Sequence, residues 1–163
     1  MNAKQLLQHA WDCAYSKEEW YAPLAEALRG VTLEQAVWKP QGEPVNSIWE
    51  TVEHLIFYKT RLLRRLTGEE SEHPPGLTND DTFAIGDATE ERWIEAQARL
   101  KNVHLALGER LAGLEEQSLD ERIPDTPIGV WFLNLALHDA NHVGQMIFLR
   151  KLQGSWPSRR SYE

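Results

Sequence analysis

The chain has 163 residues, 42% of them hydrophobic and 26% charged, with a formal net charge of −8. That length suits one domain, residues 1–163, with a buried core, and the acidity argues against nucleic acid as a partner, since phosphate binding relies on clustered Lys and Arg. A single cysteine, Cys13, excludes an internal disulfide; the N-terminus lacks a signal peptide's apolar run, and no stretch approaches the ~20 apolar residues of a membrane helix, so the expectation is a soluble, cytoplasmic protein.

Helical periodicity recurs four times, and no run of alternating β-branched residues competes with it. The first segment covers about residues 3 to 29, with Leu6, Leu7, Ala10, Ala14, Leu24 and Leu28 at helical spacing and Gly30 as a stop. Pro23 falls inside it and is expected to kink or split it, because proline removes a backbone donor and crowds the preceding turn. The second helix opens on Ser47-Ile48-Trp49-Glu50, a capping box, and closes at Gly68. Its apolar face holds Val52, Leu55, Ile56, Leu62 and Leu66.

Residues 68 to 87 read as a long acidic loop carrying Pro74-Pro75-Gly76, and loops of that length often border a site. A third helix begins after Asp87 and runs through Trp93, Leu100, Leu107 and Leu111. The fourth starts near Thr126-Pro127 and ends before Gly154, proline suiting a first helical turn. Four amphipathic helices with irregular connections at about 30–46, 68–87 and 115–126 predict an all-α four-helix bundle.

The fourth helix carries the unusual residues. Ile128, Trp131, Leu135, His138, His142, Gln145 and Leu149 fall on one stripe, so two imidazoles occupy a row that should face the core. A second apolar row, Leu133, Leu137, Ala140, Gly144, Ile147 and Phe148, suggests a central position or a subunit interface, and hence a homodimer. Two histidines four apart on a core-facing row are either core side chains with their own hydrogen bonds or a metal-ligand pair, and the spacing alone leaves both open.

A metal site needs a third protein ligand. His73 lies in the proline-containing loop and reads as exposed, while His9 and His104 lack polar companions at helical spacing. His54, in ETVEHLIFYK, sits in an apolar stretch of the second helix and is the best third candidate. The zinc-protease pattern H-E-x-x-H fails for want of the glutamate, and there is no Glu-x-x-His pair, glycine-rich phosphate loop or Cys-x-x-Cys.

The segments SIWETVEHLIFYKTRLLRRLTG and LALHDANHVGQMIFLRKLQGSWP resemble the DinB superfamily, the group that includes the YfiT-like metalloproteins. The resemblance implies a four-helix bundle in which His54, His138 and His142 hold one divalent metal ion. It also implies two activities, transfer of a low-molecular-weight thiol to an electrophilic small molecule or metal-dependent hydrolysis; the lack of an obvious base favours the transferase, and a non-enzymatic metal-binding stress protein is a further alternative. Zn, Ni and Fe all suit three imidazoles. Asn134 and Gln145, about one turn from the pair, are candidates to orient the ligands. Carboxylates that could act as a base for a hydrolase are few: Glu50, one turn before His54, is explained equally by its cap, and Glu53 and Asp139 point away from the ligand rows. Trp38, Trp49 and Trp131 are the tryptophans best placed to line a pocket, although most tryptophans in a bundle simply fill it. His104 or Asp139 would be the residue to close the coordination shell if no position were left open.

Overall fold

The computed structural model describes residues 1–42, 44–69 and 75–157; His73 lies outside them. Among the described residues six α-helices follow one another: α1 (Ala3–Tyr15), α2 (Leu24–Leu28), α3 (Leu33–Val37), α4 (Ile48–Leu66), α5 (Glu90–Gly113) and α6 (Ile128–Leu152), with 3-10 turns at Asp80–Phe83 and Glu116–Asp120. Among the described residues there is no strand, only an isolated bridge between Arg122 and Pro127. The protein is all-α. Its four long helices are α1, α4, α5 and α6, and the two short ones lie in the connections.

The long helices end where their sequence says they should, with one exception. Ser47 Oγ accepts from the Glu50 amide at 3.2 Å while Glu50 Oε2 accepts from the Ser47 amide at 2.6 Å, which fixes the start of α4. Gly68, at φ 74°, takes the left-handed conformation that follows the end of α4. The helix expected over residues 3 to 29 is instead two: α1 stops at Tyr15, Ser16 turns back to Asp12, and Pro23 sits in extended backbone as the cap of α2. Pro23, which has no N–H to continue a ladder, stands at the start of α2, eight residues after α1 has ended. Within the first connection, Thr32-Leu33-Glu34-Gln35 forms a second capping box and nucleates α3. The same S/T-x-x-E/Q signal that marks α4 was present there. The start of α5 is capped by Thr89, whose hydroxyl accepts from the Arg92 amide, two residues after the expected Asp87.

Packing follows a ring: α4 lies against α5 and α6, and α1 against the same two helices. The interior is not one continuous apolar core. One cluster joins Leu24, Trp49, Val52, Ile56, Trp93, Leu100, Val143 and Met146. The other joins Trp11, Leu62, Leu107, Leu111, Phe132 and Ala136. Between them, on each of three helices, the buried side chain is ionisable: Lys59 on α4, His104 on α5 and Asp139 on α6. Lys59 and Asp139 are fully buried and meet at 2.6 Å, with the Lys59 ammonium also 3.3 Å from His104 Nδ1 and 4.5 Å from the centre of the Trp11 ring. His104 itself is sandwiched between Trp11 and Tyr15, with ring centres at 4.3 and 4.5 Å.

The two rows of α6 divide between inside and outside. Ile128, Leu135, His142 and Leu149 are buried, whereas Leu133, Leu137 and Phe148 of the second row are 43%, 60% and 61% exposed. Between Gly129 and Leu149 the only Asp, Glu, Lys or Arg is Asp139, which points inward, so over that span the outer face of α6 carries no such charge.

Candidate metal centre

His54 projects from α4, and His138 and His142 from α6, into the space between the two helices. His138 Nε2 stands 2.9 Å from His54 Nε2 and 3.0 Å from His142 Nε2. His54 and His142 are buried, at 3% and 8% exposure, and His138 is half-buried.

The partners of the other ring nitrogens define which way each lone pair points. Thr82 Oγ1 donates its proton to the carbonyl of Asn79 at 2.6 Å, so at His54 Nδ1, also 2.6 Å away, it must act as acceptor. His54 therefore carries its proton on Nδ1 and presents a bare Nε2. Gln145 Oε1, 2.7 Å from His142 Nδ1, fixes the same tautomer there. Two bare Nε2 atoms thus face His138 Nε2, which can hold at most one hydrogen and satisfy one of them. At least one contact near 3 Å sets lone pair against lone pair, an arrangement that a cation relieves. Two nitrogens each about 2.0–2.1 Å from one ion stand roughly 2.9–3.4 Å apart for bond angles between right-angled and tetrahedral, so these two spacings fit a shared divalent ion, and all three donor atoms lie within 4.8 Å of one another.

The loop that borders this cluster builds its outer wall. Asp81 Oδ2 accepts from the amide and the hydroxyl of Thr78, both at 2.7 Å, and starts the 3-10 turn that aims Thr82 at His54. Phe83 stacks on the His54 ring at 3.9 Å between centres, 12° from parallel. Tyr58, one turn after His54, stands edge-on to both His54 and His138, and its hydroxyl donates to Asn79 Oδ1 at 2.9 Å. Thr82, Phe83 and Tyr58 escape a reading of the sequence for ligand spacing. Their one trace is the length of the loop, since nothing in a single chain says which threonine a histidine will meet.

The other candidates are dispersed. Gln145 is where a ligand-orienting residue belongs, but Asn134 is exposed, and among the described residues it has no hydrogen bond to His138. Glu50 is held by the Ser47 cap and by Lys39 at 2.7 Å. Glu53 Oε1 accepts from Trp49 Nε1 at 3.1 Å and Arg99 at 2.6 Å. Trp131 donates to the Ile123 carbonyl and lies under Arg65; Trp49 packs against Trp93 in the core, and Trp38 packs against the same cluster. Asp139 and His104 belong to the layer around Lys59 and do not close the histidine cluster, so no fourth protein ligand joins it among the described residues.

Burial holds these imidazoles neutral. His54 is pushed down to about 3 and His138 to about 4, in each case by desolvation first and by neighbouring imidazoles second. His104 is pushed down to about 2 by desolvation and by Lys59. The sign follows from linkage: below the ordinary histidine value of 6.5 the unfolded chain takes up protons that the folded chain refuses, so stability falls with pH. The metal-free protein is expected to lose thermal stability steadily from pH 6.5 to 5, above the range where most carboxylates titrate. A midpoint that stays flat across that interval would show the imidazoles to be better solvated than their burial implies.

Thr82 gives a second test at this site. Thr82→Val keeps the shape and removes the acceptor for His54 Nδ1–H. Loss of such an outer partner typically costs about 10–100-fold in metal affinity. Competition titration against a chelator measures it, and an unchanged affinity would mean that Phe83 stacking alone orients His54.

An all-α protein with three imidazoles, two buried and one half-buried, converging between two long helices is the class these features define. The DinB superfamily pattern matches residues 17–146, and the chain belongs to that superfamily. No curated protein and no solved structure matches it.

Proposed function

We propose that the protein is a metal-dependent transferase that joins a low-molecular-weight thiol to an electrophilic small molecule, with His54, His138 and His142 holding the ion. The observation that carries the choice of reaction is that, among the described residues, no carboxylate joins the three-histidine group. Asp139 is engaged by Lys59, Glu50 by Ser47 and Lys39, and Glu53 by Trp49 and Arg99. Hydrolysis usually wants such a base to accept a proton from water. Thiol transfer asks less, because a thiol ionises far more readily.

A divalent ion held by His54, His138 and His142 would supply positive charge that favours the thiolate form of the thiol. The chain's own residues do the rest. Thr82 and Gln145 hold two imidazoles in one tautomer, and Phe83 and Tyr58 wall off the His54 side. In the transfer a sulfur–carbon bond forms, the leaving group departs with its electron pair, and the thiol proton passes to solvent.

The test is to load the chain with Zn, Ni or Fe in turn and supply a small thiol with an alkylating electrophile. A metal-dependent rate of thioether formation, lost in His138→Ala, is the expected result. Ester or amide cleavage without thiol, lost in the same variant, would favour the hydrolase, and tight metal binding with neither activity would favour a storage or sensing role.

The outer face of α6 between Gly129 and Leu149, apolar and without Asp, Glu, Lys or Arg, supports pairing with a second copy, because contact there adds no local charge repulsion to that of two chains of charge −8. Leu137→Glu, at an exposed position on that face, is expected to turn a dimer into a monomer in sedimentation. A wild-type chain monomeric at high micromolar concentration would overturn the pairing.

A further inference from the structure

A second group of donors lies on other elements of the fold. His9 and Cys13 are four apart on α1, so their side chains occupy neighbouring positions on one face. The chain leaves α1 in a tight turn, Ser16 and Lys17 both donating to the Asp12 carbonyl, and this brings Glu19 back over that face. His9 Nε2 stands 3.7 Å from Cys13 Sγ and 3.4 Å from Glu19 Oε2, and the three donor atoms all lie within 4.8 Å of one another. Cys13 is buried, His9 is half-buried and Glu19 opens to solvent.

We propose that His9, Cys13 and Glu19 form a second metal site, specific for a borderline-soft divalent ion of the zinc type, with its remaining position filled from solvent. The donor set is the argument: one sulfur, one imidazole nitrogen and one carboxylate oxygen are the three ligand types zinc accepts, and hard ions such as magnesium do not select sulfur. The three-histidine cluster offers nitrogen alone and makes no such selection.

Lys17 is the built-in competitor. Its ammonium lies 2.7 Å from Glu19 Oε1 and 3.4 Å from His9 Nδ1. In the ion-free state His9 Nδ1 accepts from Lys17 and Nε2–H faces Glu19. Coordination through Nε2 requires the proton to move to Nδ1, and Lys17, whose side chain is half exposed, must then swing away. Burial and the Glu19 charge both raise the Cys13 thiol, so it stays protonated until an ion arrives. Binding exchanges that proton, which goes to solvent, for a metal–sulfur bond.

Cobalt(II) titration of the full-length chain separates the two sites, because Cys13 is the single cysteine. The expected result is two equivalents, one of them producing sulfur-to-cobalt charge-transfer absorption in the near ultraviolet. Cys13→Ser should remove that absorption and one equivalent. His9→Ala and Glu19→Gln, both at solvent-accessible positions, should each weaken the sulfur-bearing equivalent by tenfold or more, while Lys17→Met should tighten it. No charge-transfer band at two equivalents of cobalt overturns the proposal. So does a band unaffected by His9→Ala and Glu19→Gln, which would signal a thiol binding alone. Failure of the three-histidine reading looks different: the sulfur-free equivalent is then missing, whatever Cys13 does.

Discussion

Replacement of His142 by Ala should abolish metal binding at the three-histidine cluster while leaving helical content nearly unchanged. His142 supplies one of three nitrogens, and its loss leaves His54 and His138 2.9 Å apart with no third ligand. The effect should therefore exceed the roughly 10–100-fold cost of losing an outer partner such as Thr82. The fold should survive, because α6 keeps Phe132, Leu135, Val143, Met146 and Leu149 in its two apolar clusters. The measurement is metal content after dialysis against chelator, made in a Cys13→Ser background so that sulfur does not contribute. Thioether formation should vanish with the metal. A variant that keeps one sulfur-free equivalent would show that the three histidines are a hydrogen-bonded core cluster.

Replacement of Lys59 by Met should be the most destabilising single change in the polar layer. Burial pushes Lys59 toward its neutral form and Asp139 toward its own, and each is opposed by the partner's charge at 2.6 Å. Asp139 already has one carboxylate oxygen without a hydrogen bond, so removing Lys59 strands a wholly buried carboxylate. Losing one partner of such a pair costs about 3–5 kcal/mol, or roughly 6–20 °C in melting temperature for a chain of this size. The double replacement Lys59→Met with Asp139→Leu should recover most of that loss, since an apolar pair can fill the gap between the clusters above and below. A single variant within ~1 kcal/mol of the parent would place water inside this layer.

How much of this could be read along the chain depends on the range of the interaction involved. Helix starts and stops at Ser47, Gly68 and Pro127 were legible because caps are settled by residues three or four apart. So was the stacking of His138 and His142 on one side of α6, a consequence of four-residue spacing. His54 stood out as the best third candidate because it is an imidazole in an apolar stretch, and the family resemblance gave it its place beside the pair. The end of α1 at Tyr15 was not legible: Leu24 and Leu28 keep helical spacing with α1, and the proline's power to split the segment depends on where residues 16–23 can pack.

Tertiary structure alone decided the rest. Thr82 reaches His54 across 28 positions, and Lys59 reaches Asp139 across 80. No periodicity encodes such pairs. Glu50, Glu53 and Asp139 were poor bases already in the sequence, one claimed by a cap and two pointing away from the ligand rows; the fold adds that each is held by a cation, because a carboxylate withdrawn from water must find compensating charge or donors. Residue type and short spacing specified which side chains could bind an ion. Which of them remain unclaimed by other partners was fixed by the packing of α4, α5 and α6, where burial makes every unpaired polar atom costly.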